Sequence, residues 1–293
     1  MSFDAGILFQ VVFWGLYAGC IYILLATGLT IIFGVMKIVN FAHGELLMLG
    51  SYVTFWAVTL LGINPYLAMI FSMITLGILG IGIERLCFRP ILGTGKLNEI
   101  FLSLGLIFFF QNLAAKLWGA DFRSIHSPYE SILIPIGSAN LPFDYLVIMI
   151  VTSFILLILH IFLKKTSIGR AIRATSQNRK AAMLMGINVE RVDMLTFGLG
   201  SALAAAAGSL WVVGGLSFNP YMGTTPAIKA FAVIILGGLG SIPGAIAGGL
   251  TLGLAENIAA YLGGGAWKDA TSFAILIAVL VIRPTGIFGE REE

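Results

Sequence analysis

Apolar runs long enough to cross a bilayer recur along almost the whole chain. They lie near 7–33, 44–61, 65–83, 98–118, 143–163, 194–216 and 269–283, with a longer Gly-rich stretch at 227–262. Spanning the hydrocarbon as a helix takes about 20 apolar residues. A soluble core cannot absorb so many such runs, since 58% of the 293 residues are hydrophobic and 11% charged, against about 25% charged in an ordinary soluble domain. In lipid the backbone satisfies its own polar groups by forming helices. The pattern therefore predicts an all-α, polytopic transmembrane bundle of eight or nine spans. The stretch at 227–262 is too long for one helix and breaks at Gly240-Ser241-Ile242-Pro243-Gly244. Two short helices, or a broken pair that re-enters the membrane, are expected there.

Charge placement orients the bundle. Between 164 and 193 stand Lys164, Lys165, Arg170, Arg173, Arg179, Lys180 and Arg191 against Glu190 and Asp193, a net of +5. The positive-inside rule puts this segment in the cytoplasm. Segment 119–144, with Arg123 against Asp121, Glu130 and Asp144, then faces outward, and 84–97, with Arg85, Arg89 and Lys96, faces inward. The N-terminus falls outside. Nine spans put the C-terminus inside; eight put it outside, near Arg291. The first run is preceded by Asp4 and no Lys or Arg, as expected of a retained membrane helix rather than a signal peptide. Two cysteines, Cys20 and Cys87, exclude a disulfide scaffold and a four-cysteine metal site. No polar stretch exceeds about 30 residues, too little for a separate soluble domain, so residues 1–293 read as a single membrane domain.

Three segments stand out. Within 164–193, Ser167 is placed to cap a helix through Ala174, and Ser176 or Asn178 a second through Met185. Gly186 follows where a helix end wants positive φ. A solvated basic loop is one reading. The other is a docking element, in which the small residues Gly169, Ala171, Ala174, Ala181 and Ala182 admit a close partner. Met183, Leu184, Met185 and Ile187 would then fill a hydrophobic groove instead of facing water without reason.

The second segment, Gly34 to Glu45, crowds Lys37, Asn40, His43 and Glu45 between two apolar runs. Ionisable groups near membrane depth line pathways or brace corners where backbone ends need partners. Their number and spacing do not make a zinc site. In the third segment Gly240, Gly244 and Gly248 repeat every four residues, as do Gly249 and Gly253, the pattern of closely packed membrane helices. Gly200, Ala204 and Gly208 repeat it on an earlier run. Glu256 and Asn257 follow inside an apolar helix, where a carboxylate must face protein or water. Glu84 and Gln111-Asn112 are weaker cases of the same kind. Gly93-Thr94-Gly95-Lys96 resembles a phosphate loop only in passing: Pro90 and Leu97 occupy positions that need Gly and Ser or Thr. No cofactor is expected on this chain, and no local nucleophile–base motif is present.

The residues resemble those of a known family. Gly28-Leu29-Thr30-Ile31-Ile32-Phe33-Gly34 with Ile38-Val39-Asn40-Phe41-Ala42-His43-Gly44-Glu45, Ile83-Glu84-Arg85 with Phe88-Arg89-Pro90, and Gly169-Arg170-Ala171 through Leu184-Met185-Gly186-Ile187-Asn188 carry the likeness. So do Asn219-Pro220-Tyr221, the run Leu236 to Ala245, and Arg283-Pro284-Thr285-Gly286-Ile287-Phe288-Gly289. Together they resemble permeases of branched-chain amino-acid ABC importers, of the LivH type, in order over nearly the whole chain. The resemblance implies a multi-pass subunit of the bacterial cytoplasmic (inner) membrane. It implies a second homologous permease, two cytoplasmic ATPases that use ATP-Mg, and an external substrate-binding protein, with lipid around them and no nucleic acid. In that scheme Gly169, Arg170, Ala171, Arg173, Ala181, Ala182, Leu184 and Gly186 belong to the coupling element that docks on an ATPase. Asn40, His43 and Glu45 lie near the path between the two permeases, and Glu256 and Asn257 are further candidates. The same family serving urea or short amides is the nearest rival. An ion-driven secondary transporter or an intramembrane enzyme fits less well, because Glu256 is the only carboxylate expected well inside a span and the basic cytoplasmic segment with its apolar residues has no obvious role in such a protein.

Overall fold

The computed structural model describes residues 5–136, 139–283, 286 and 287. Asp4, Pro284, Thr285, Phe288, Gly289 and Arg291 lie outside the described residues. Among those described, eleven α-helices form: α1 (Ala5–Met36), α2 (His43–Leu61), α3 (Pro65–Ile83), α4 (Lys96–Trp118), α5 (Phe143–Lys165), α6 (Ser167–Gln177), α7 (Arg179–Leu184), α8 (Val189–Val213), α9 (Thr224–Gly237), α10 (Ile242–Gly263) and α11 (Trp267–Ile282). Seven of them, α1 to α5, α8 and α10, are long and apolar enough to cross a membrane. Helix α9 is apolar but has 14 residues, and α11 has 16.

The Gly-rich stretch forms two helices, α9 and α10. Gly238 and Gly240 between them take φ of 98° and 85°, which a side chain would oppose. Ser241 then caps α10 by accepting from the Gly244 amide at 3.1 Å, and Pro243 sits in the first turn, where its missing N–H is not needed.

Helices α1 and α8 occupy the centre, while α3, α4 and α5 turn most of their surface outward. Small residues set the spacing. Helix α1 runs antiparallel to α10, with Gly15 against Leu254, Gly19 against Gly249 and Gly34 near Gly240. Helix α8 meets α1 at Gly200 and Gly28, and meets α2 at Ala205 and Gly50 and at Gly208 and Leu47. Such contacts bring backbones close enough for dispersion to hold helices that gain nothing from leaving lipid.

One short hairpin accompanies the helices: β1 (Leu133–Ile136) pairs antiparallel with β2 (Ala139–Pro142), Leu133 opposite Pro142 and Ile136 opposite Ala139. Pro135 and Pro142 disfavour helix here, and the hairpin pairs backbone groups while Ala139 and Leu141 pack on Phe13 of α1. The ring of Tyr17 on α1 stacks on Tyr145 of α5 at 3.8 Å, so the hairpin, the start of α1 and the start of α5 share one end of the bundle. The end of α1, α6 and the α9–α10 turn meet at the other.

Helix α2 begins inside the bundle. After α1 the chain turns back through Lys37, at φ 57°, and Asn40, whose Oδ1 accepts from the Ala42 amide at 3.0 Å. Helix α2 then starts with His43 Nε2 at 3.2 Å from the Leu25 carbonyl. Leu25 precedes the end of α1 by eleven residues, about 16 Å of helix. A helix end thus stands beside the middle of α1.

Candidate functional site

At the basic end, Thr166 caps α6, its Oγ1 accepting from the Gly169 amide at 2.9 Å. Ser167, the expected cap, is already in the helix, which runs on to Gln177 rather than stopping at Ala174. Of the two candidates for the second cap, Asn178 acts, accepting from the Ala181 amide at 2.9 Å. Gly186, at φ 81°, closes α7: its amide donates to the Met183 carbonyl and that of Ile187 to Ala182.

Burial sorts the residues singled out above. Gly169 packs against the Phe162 and Leu163 backbone, and Ala182 is buried against the bundle. Both pack within the protein and anchor one face of the segment. Arg170, Arg173, Ala181 and Gly186 are exposed and Ala171 is half-buried. Leu184 and Met185, at 89% and 82% exposed, and Met183, at 51%, form the apolar tip.

Asp193 is buried at the start of α8, and Arg179 of α7 donates to both its oxygens at 2.9 and 2.5 Å. These bonds, ahead of the burial that opposes them, raise the Arg179 guanidinium above its ordinary value. A second arginine holds the same region. Arg89, just after α3, donates to buried Glu84 at 3.2 and 3.4 Å and to Glu190 of α8 at 3.3 and 3.4 Å. Glu84 is thus paired with an arginine five residues along the chain.

Deeper in, the starts of α2 and α9 meet. A side chain on Gly44 would collide with the Gly223 carbonyl, and one on Gly223 would lie 2.7 Å from Glu45 Oε2. The Glu45 carboxylate therefore sits where the positive ends of two helices converge. Its Oε1 accepts from Gln111 Nε2 at 2.9 Å, and Gln111 also donates to Thr224 Oγ1 at 3.3 Å. Glu45 Oε2 and His43 Nδ1 are buried without a hydrogen-bond partner among the described residues. Asn112, by contrast, faces outward and bonds the Phe108 carbonyl one turn back at 2.7 Å.

Glu256 belongs to a different cluster, and here the sequence reading missed a residue. Lys229 of α9 stands 3.0 Å from Glu256 Oε1 and 2.9 Å from Asp269 Oδ1. Tyr22 of α1 donates to Glu256 Oε2 at 2.7 Å, and Ser272 of α11 donates to Oε1. The carboxylate is 1% exposed and fully partnered. A lysine inside an apolar stretch was the available signal. Asn257 bonds the Gly253 carbonyl of its own helix at 2.9 Å and lines a cavity of about 280 Å³ with Trp14, Tyr17, Tyr22, Trp211 and Lys229. The polar residues thus form two clusters that share α9. Of the packing glycines, Gly244 and Gly248 lie against Gly237 and Val233 of α9, while Gly240 lies in the turn before α10.

The profile of a family described as branched-chain amino acid transport system, permease component, matches residues 11–280. The chain belongs to this family. The permease is 38% identical over 296 aligned residues to the high-affinity branched-chain amino acid transport system permease protein LivH of Salmonella typhimurium, covering 97% of this chain and 96% of that protein. The LivH protein of Escherichia coli K12 gives the same identity and coverage. The corresponding protein BraD of Pseudomonas aeruginosa is 36% identical, covering 95% and 94%. The chain is accordingly a multi-pass transport subunit of an ABC-type system and not an enzyme.

Proposed function

We propose that this permease carries branched-chain or related apolar amino acids inward across the bacterial cytoplasmic membrane, driven by ATP hydrolysed on other chains. The observation that carries the substrate class is the likeness, over nearly the whole chain, to LivH and BraD proteins, whose names state that cargo. A second homologous permease completes the path, two cytoplasmic ATPases bind ATP-Mg beneath, and an external binding protein delivers substrate. Residues 1–293 act as one permease domain. Uptake by the assembled system should be competed by leucine and not by urea; the reverse pattern contradicts the reading.

The segment 164–193 is read as the ATPase-docking element. Support comes from its +5 charge and from Leu184 and Met185, large apolar side chains left exposed among the described residues. With that end inside, the chain makes nine passes. Two of them use the short helices α9 and α11, and the first return pass re-enters through 37–42 before α2 begins. Ile287 supports an inner C-terminus, since its amide donates to the Leu236 carbonyl at the end of α9 at 2.8 Å. The path is read as passing near Asn40, His43 and Glu45, where helix ends and unpaired polar atoms lie at membrane depth. Glu256 is read as bracing the bundle through Lys229, with Asn257 beside the neighbouring cavity.

A further inference from the structure

We propose that the Arg179–Asp193 pair is the joint through which movement of the docking element reaches the membrane, which makes both residues positioning residues for ATP-driven transport. The proposal rests on reading 164–193 as the ATPase-docking segment.

Helix α7 has six residues, and its buried side chain is Ala182. A helix so short and so lightly packed would slide under load if apolar contact alone held it. Arg179 supplies a directed link instead. Its guanidinium meets both Asp193 oxygens, at 2.9 and 2.5 Å, and a two-pronged bond fixes the plane as well as the distance. Asp193 is 1% exposed, so parting the pair would strand a buried carboxylate. The link therefore moves with the docking element instead of giving way.

What it pulls on is α8, enclosed along most of its length. Gly198 and Ser201 face Gly77 and Gly80 of α3, Gly200 faces Gly28 of α1, and Ala205 and Gly208 face Gly50 and Leu47 of α2. Side chains this short cannot bend to absorb a displacement, so a shift of α8 is passed to its neighbours. Helix α2 is further tied to α8 by Ser51 to the Gly208 carbonyl at 3.0 Å and by Thr54 to Ser209 at 2.7 Å. It carries His43 and Glu45 at its other end. Arg89 fastens the end of α3 to the same first turn of α8 through Glu190.

The competing account is that Arg179 merely compensates a buried charge. Two variants separate the accounts in the complex reconstituted with its ATPases and a leucine-loaded binding protein. Arg179→Lys keeps the charge and loses the fork; Arg179→Met with Asp193→Leu removes both charges and leaves nothing buried unpaired. The joint predicts that both variants retain the ATPases and hydrolyse ATP, while leucine moved per ATP falls at least about fivefold, the lower range of measured couplings between sites. A wild-type ratio in either variant overturns the joint. Leu184→Asp tests the docking reading separately: full ATPase recovery with that variant sinks the docking reading, and the joint with it. Normal recovery and normal ratio in Arg179→Lys sink the joint alone.

Discussion

Lys229 of α9 and Glu256 of α10 form an ion pair of 3.0 Å inside the bundle, closed on the other carboxylate oxygen by the Tyr22 hydroxyl at 2.7 Å. With Asp269 and Ser272 it ties α9 and α11, too short to anchor themselves, to α1 and α10. Removing one partner of a buried pair leaves the other uncompensated and costs about 3–5 kcal/mol, whereas apolar replacement of both is often near neutral. Lys229→Met should therefore lower the unfolding temperature in mild detergent sharply. Lys229→Met with Glu256→Leu should recover much of the loss. Equal melting of the single variant and the wild type would refute a bracing role.

Backbone proximity gives a second expectation. A side chain on Gly44 meets the Gly223 carbonyl, and one on Gly208 meets that of Leu47. Neither neighbour can move without shifting a helix. Gly44→Val and Gly208→Val should abolish recovery of folded permease. Gly105 on α4 has nothing within 4 Å. Gly105→Ala should keep full uptake and gain up to about 1 kcal/mol in helix propensity.

Gln111 holds Glu45 by a 2.9 Å bond. Gln111→Leu leaves that carboxylate with helix ends alone, and an unmet buried group costs about 1–3 kcal/mol, more when charged. Gln111→Glu brings two carboxylates together and should be worse. Thermal stability and leucine uptake, ranked wild type, Leu, Glu, check the order. Glu performing as well as wild type would show that the Glu45 carboxylate is not held charged by this contact.

The exposed tip of α7 should behave as an anchor. Leu184→Asp replaces a side chain 89% open to water, so it should not disturb the permease's own fold. Loss of a central apolar anchor costs about 2 kcal/mol or more at protein interfaces. Recovery of ATPase subunits on purification should fall steeply while insertion stays normal.

Periodicity and punctuation carried much of this architecture. The apolar runs mark the helices to within a few residues; Asn178 and Gly186 could be read as cap and stop because those positions select their residue types locally. Thr166 and Ser167 offer the same hydroxyl one residue apart, and only packing decides between them. The inward faces of Gly169 and Ala182 were not legible either, since smallness suits an internal contact and a partner equally. Lys229 was visible as a charge in an apolar run, but its carboxylate stands 27 residues away on another helix, a pairing that only the fold supplies. The Glu45 cluster likewise draws on α2, α4 and α9.

The most direct test of an ATP-driven importer subunit is purification of the permease from mild detergent with its partners, followed by reconstitution and assay of ATP hydrolysis. Recovery of a second permease and two ATPases is expected, with hydrolysis stimulated by a leucine-loaded binding protein and leucine accumulating inside the vesicles. A permease that purified alone and moved leucine into vesicles without ATP would contradict ATP-driven import.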